Sequence, residues 1–108
     1  MKQKPPAIQE KHRYLKFKVR GNKKNLGEVV DAVWNSATKY MGTQGTSKAN
    51  IRIIGNKYNK KKQEGIIRIN QNTENNLRAA LTINNGFKDQ TYLSIEKVSG
   101  TLKNLKKS

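Results

Sequence analysis

The chain has 108 residues, 33% of them hydrophobic and 6% aromatic, which allows one domain with a thin core. Its 23 Lys and Arg against 7 Asp and Glu give a net charge of +16, self-repulsive without a polyanionic partner, for which nucleic acid ranks ahead of an anionic membrane surface. With no cysteine, disulfides, thiolate catalysis and cysteine zinc sites are excluded; with no run of about 18 apolar residues and no apolar stretch in the opening MKQKPPAIQEKHRY, a soluble cytoplasmic protein is expected, neither spanning nor bound to a membrane.

Residues 1–12, with Pro5 and Pro6 and no periodicity, read as a flexible basic leader in which His12 is an exposed residue. A single domain over residues 13–106 follows. RYLKFKVR alternates, setting Leu15, Phe17 and Val19 on one face of a strand and Tyr14, Lys16, Lys18 and Arg20 on the other. Asn25 and Glu28 have the spacing of a helix cap with a returning carboxylate. Leu26, Val29, Val30, Val33, Trp34, Ala37, Tyr40 and Met41 then recur at helical spacing, and Gly42 supplies a left-handed stop. GTQGTS reads as a loop, and NIRIIG as a short strand with Ile51 and Ile53 on one side. Residues 56–63 form a basic connection to a strand in EGIIRINQ, with Ile67 and Ile69 inward and Arg68 outward. Asn72 or Thr73 caps a second helix whose inner face holds Leu77, Ala80, Leu81 and Ile83, stopped by Asn84, Asn85 and Gly86. The last strand, TYLSIEKV, points Leu93 and Ile95 one way.

The order β-α-β-β-α-β predicts an α+β fold, a ferredoxin-like or RRM-like sandwich with a four-stranded antiparallel sheet and two helices on one face. The other face is left for a partner. An RRM stacks bases on aromatics of its third strand, and GIIRINQN has none. Tyr14 and Tyr92 remain as single stacking candidates or as ordinary strand tyrosines. Phosphate recognition by cations is the better-supported chemistry. Candidates are Arg13, Lys16, Lys18 and Arg20 on the first strand, Arg52 and Arg68 on the hairpin, and Lys57, Lys60, Lys61 and Lys62 in its loop, with Lys48 before it. Lys23 and Lys24 stand beside a helix start, where a capped helix with surface lysines accounts for them better than an anion site. Glu28 and Asp31 suit a helix N-terminus without a metal, and no nucleophile-base pair or ligand cluster is visible, so no catalytic residue and no bound cofactor are assigned.

Taken together, RYLKFKV, AVWNSATKYMG, GTQGTSKA, EGIIRIN, LRAALTI and VSGTLKNLK resemble, in order and over residues 13–106, the archaeal ribonuclease P protein component 2 (Pop-five) family. The resemblance implies a subunit of the ribonucleoprotein endonuclease that removes 5′ leaders from precursor tRNA, with chemistry in the RNA and its magnesium ions. It further implies a hetero-oligomer with component 3 and other ribonuclease P proteins, supporting the catalytic domain of the ribonuclease P RNA and meeting precursor tRNA only indirectly. Helical apolar surface would meet component 3, and the sheet and loops the RNA. Residues 98–103 are then ordered, Gly100 turning the chain into a short helical turn with Leu102 and Leu105 on one side, and Lys103, Lys106 and Lys107 toward the RNA. The alternative is a general basic RNA-binding or ribosome-associated domain; a hydrolase on the same sandwich is weaker.

Overall fold

A computed structural model describes residues 11–83 and 87–106. Strand β1 (His12–Arg20) leads into helix α1 (Leu26–Ala49); β2 (Arg52–Ile53) and β3 (Glu64–Asn70) follow, then α2 (Glu74–Ile83), β4 (Tyr92–Ser99) and a short α3 (Leu102–Lys106). The strands lie in the order β2-β3-β1-β4, all antiparallel, so β1 and β3 form the centre of the sheet. This is the expected ferredoxin-like arrangement.

Alternation along β1 buries Leu15, Phe17 and Val19, which meet Ile67 and Ile69 of β3, Val29, Val33 and Ala37 of α1, and Leu77 and Leu81 of α2. Each large side chain so buried contributes about 1.5–3 kcal/mol relative to exposure. Phe17 lies opposite Gly65 in the register and stacks on Tyr58 with ring centroids 6.2 Å apart. A Cβ on Gly65 would sit 2.6 Å from the Phe17 ring, so only glycine leaves room for that ring at the centre of the sheet.

Several expectations are corrected. Gly42 does adopt a left-handed backbone (φ 76°), but the helix resumes after it and ends at Asn50, itself left-handed (φ 56°), whose amide donates to the Ser47 carbonyl. The predicted loop GTQGTS is therefore largely helix, because Thr46 and Ala49 are needed in the core, at 1% and 0% exposure. Tyr40, in the last turn before the break, is left exposed; Trp34 is exposed because it stands roughly 100° round the helix from Val33. Ile83 is 65% exposed rather than inward, since six positions beyond Leu77 carry it roughly 120° off the buried stripe. Helix α2 begins through a 3-10 turn at Gln71–Thr73, and the Thr73 hydroxyl donates to the Asn70 carbonyl. The second strand is shorter than NIRIIG, although Ile51 and Ile53 both reach the core.

His12, expected as an exposed residue ahead of the fold, is instead the first residue of β1, half-buried and opposite Asn70, and the Lys11 carbonyl accepts from the Gln71 amide at 2.8 Å. Residues 1–10 and the predicted stop at Asn84, Asn85 and Gly86 lie outside the described residues. At the other end, α3 packs on β4 and β1 and buries Leu105 to 1% exposure, so the closing VSGTLK segment is ordered.

Candidate nucleic-acid interface

Antiparallel partners share a face, so the register assigns the side of the sheet away from the helices. Tyr14 faces Arg68, Lys16 faces Ile66, and Lys18 faces Glu64 across β1 and β3; Arg52 faces Arg68 across β2 and β3. On the β4 side Lys16 faces Lys97, Lys18 faces Ser94, and Arg20 faces Tyr92. The expected outward set of Tyr14, Lys16, Lys18, Arg20, Arg52 and Arg68 is thus brought together on one surface. Ile66, at its centre, is only 8% exposed. The β3 positions on this face are Glu64, Ile66 and Arg68, none of them aromatic, which leaves Tyr14 and half-exposed Tyr92 as the strand aromatics available for stacking.

Lys97 joins the face through a bulge. Strict alternation from Leu93 and Ile95 puts Lys97 inward, but the register slips by one residue between Lys16 and Phe17, leaving Glu96 as an extra residue of β4. Val98 then turns inward opposite Leu15 and packs on the core, while Lys97 turns outward. Sequence reasoning missed this, although the apolar spacing 93, 95, 98 carries the signal. Glu96 lies 3.4 Å from Arg20 and accepts from the Ser94 hydroxyl at 2.6 Å; that hydroxyl first, then Arg20, hold its carboxyl below the usual range. Among the described residues Glu64 and Glu96 are the carboxylates on a face with Lys16, Lys18, Arg20, Arg52, Arg68 and Lys97.

The connection from β2 to β3 extends this charge. Lys57 ends a 3-10 turn (Gly55–Lys57) and is half-buried; Lys60, Lys61 and Lys62 are exposed where Asn59 and Glu64 pair to close the tip. Gln63 pins the loop: its side chain accepts from the Lys24 amide at 2.7 Å and donates to the carbonyls of Lys24 and Lys60 at 3.1 and 2.8 Å. Tyr58 donates to the same Lys24 carbonyl at 2.7 Å, and burial, with Glu28 nearby, pushes its hydroxyl pKa up. Neither role was visible in the sequence, where Gln63 reads as one more loop polar residue.

Other predicted residues stand elsewhere. Arg13 shares its register position with Ile69 on the helix side and pairs with Glu74 at 3.8 Å, so it is not part of the outer face. Lys48 is exposed in the last turn of α1, in the helix layer, its carbonyl accepting from Asn70 at 2.9 Å. Lys103 is exposed on α3; Lys106 is described only as backbone of that helix, and Lys107 lies outside the described residues. The start of α1 is the capped helix expected: Asn25 accepts from the Glu28 amide at 2.9 Å and Glu28 from the Asn25 amide at 3.1 Å. Lys24 is occupied there, 2.8 Å from Asp89 and over the Phe87 ring. Among the described residues no group of three or more His, Cys, Asp or Glu is placed to hold a metal ion.

The profile of the Rpp14/Pop5 family matches residues 13–108. The chain belongs to the Rpp14/Pop5 family. Its relatives include ribonuclease P protein component 2 of Pyrococcus furiosus, 34% identical over 95% of this chain and 86% of that protein. The component 2 of Thermococcus gammatolerans is 36% identical over the same shares, and that of Methanococcus aeolicus 37% identical over 92% of this chain and 72% of that protein. In this Rpp14/Pop5 chain the matched region takes in every strand and helix, from the second residue of β1 onward. A rigid sheet carrying fixed cations and few carboxylates can neutralise phosphates along a backbone, a sequence-independent and salt-dependent mode of binding.

Proposed function

We propose that the chain is a protein subunit of ribonuclease P that supports the catalytic RNA in removing 5′ leaders from precursor tRNA. The match to component 2 proteins across the folded region carries this reading. The cationic outer face supports the mode of action: Lys and Arg side chains offset repulsion between RNA phosphates, so the RNA folds and cuts with less magnesium. Cleavage belongs to the RNA and its magnesium ions; the chain alone cuts nothing. Exposed Trp34, Tyr40 and Ile83 support a helix layer that meets a protein, which we assign to component 3 within a cytoplasmic hetero-oligomer.

Precursor-tRNA cleavage by the matching ribonuclease P RNA, measured at limiting magnesium with and without this chain and component 3, tests the proposal. Cleavage that requires both proteins is expected. Cleavage indifferent to this chain, with both proteins folded, returns it to a general RNA-binding domain.

A further inference from the structure

The chain has five arginines, Arg13, Arg20, Arg52, Arg68 and Arg78. Three of them hold carboxylates: Arg13 and Arg78 share Glu74, and Arg20 takes Glu96. The remaining two, Arg52 and Arg68, are without an ion pair among the described residues and are set directly against each other across β2 and β3. Their Cα atoms are therefore roughly 5 Å apart, the spacing at which like charges oppose strand pairing. The row they belong to continues through Tyr14 to Ser99 and contains no carboxylate. Glu64, four positions along β3 from Arg68, is roughly 13 Å away along the strand. Arg68 is also half-buried, with its Nε enclosed and without an acceptor. Two cations set opposite each other across a strand pair, with no carboxylate in their row, are raised in free energy until an anion lies between them.

We propose that Arg52 and Arg68 together grip one backbone phosphate of the RNA, the first fixed contact point on the cationic face. The assignment rests on the RNA-facing reading of the sheet given above. A planar guanidinium presents two parallel donors to phosphate oxygens, and two such forks from adjacent strands can share the two non-bridging oxygens of one phosphodiester better than scattered lysines do. A phosphate between them offsets their repulsion with one negative charge placed close to both. It also ties down β2, only two residues long, whose pairs to β3 are Arg52 with Arg68 and Ile53 with Ile67. The unbound chain thus carries a local strain of charge that RNA relieves.

Arg52, exposed at the sheet edge, is the residue to change. In Arg52→Gln the free protein is expected to melt no lower than the parent, and higher at low salt, with the gain fading as salt screens the pair. Its affinity for the ribonuclease P RNA is expected to fall about tenfold. Scanning that RNA with neutral methylphosphonate linkages should reveal one position at which parent and variant bind equally. A lower melting temperature with unchanged RNA affinity would make the pair structural and overturn the proposal; so would a deficit that no single linkage removes. Loss of component 3 binding alone would reassign the pair to an acidic protein surface. Lys16→Gln/Lys18→Gln serves as the reference: if it weakens RNA binding while Arg52→Gln does not, the RNA-facing sheet stands and the grip fails. If neither does, the sheet reading itself fails.

Discussion

At Gly65 the central strand passes beneath the Phe17 ring, with Tyr58 on the other flank at 2.9 Å from where a Cβ would stand. Gly65→Ala is therefore expected to destabilise the protein by about 1–3 kcal/mol, because the rings must leave their seats or the strands must part. A urea unfolding midpoint lowered at constant slope checks this, and a parental midpoint would show that the rings give way freely. That Phe17 points inward is legible from RYLKFKVR alone. That Gly65 must be glycine is not, since the ring that excludes a side chain comes from a strand almost fifty positions earlier. Gln63 is the same kind of case: its three hydrogen bonds reach Lys24 and Lys60, and nothing in the local sequence separates it from the lysines beside it.

The turn before α1 and the segment before β4 are joined by Asp89, which accepts from Lys24 at 2.8 Å, Asn22 at 2.9 Å and the Thr91 amide at 2.9 Å. Lys24 foremost, then Asn22 and Thr91, hold the Asp89 carboxyl well below the usual carboxylate range. A carboxylate with a depressed folded pKa stabilises above its unfolded value near 4 and loses that contribution as pH falls toward the folded one. Asp89→Asn is expected to lower the melting temperature at pH 7, with the gap to the parent narrowing as pH drops below about 4. A gap constant down to pH 2 would assign the effect to hydrogen bonding rather than charge. The four strands and the main helices were readable in the sequence, whereas the two 3-10 turns were not, and element ends were decided by contacts between elements. Gly42 has the chemistry of a helix stop, yet burial of Thr46 and Ala49 carries the helix on to Asn50. The bulge at Glu96 likewise re-aims Lys97 because β4 must seat Ile95 and Val98 against β1.

For the molecule as a whole, a charge of +16 makes RNA binding a counterion-release process, so log affinity should fall linearly with log salt. Replacing Lys16 and Lys18 by glutamine, both half-buried on the outer face, is expected to reduce that slope by roughly 1.5 and to leave folding almost unchanged. Titrations of the ribonuclease P RNA at several salt concentrations read the slope. An unchanged slope would place the phosphate contacts on other surfaces, such as the loop lysines or α3.

The sequence by itself determined the element order, the apolar face of β1 and β3, the capped start of α1 and the net charge, because alternation, helical spacing and capping are local and short-ranged. Its ordered segments also carried the family resemblance. The alternation also placed Lys16, Lys18, Arg20, Arg52 and Arg68 on one outer face; only the tertiary structure decided the exceptions and the pairing, drawing Arg13 away to Glu74, leaving Lys48 in the helix layer, turning Lys97 outward and setting Arg52 against Arg68. Such placements depend on pairing register and on bulges, where one residue of slip exchanges the two faces of a strand, and register is settled by partners distant in the chain.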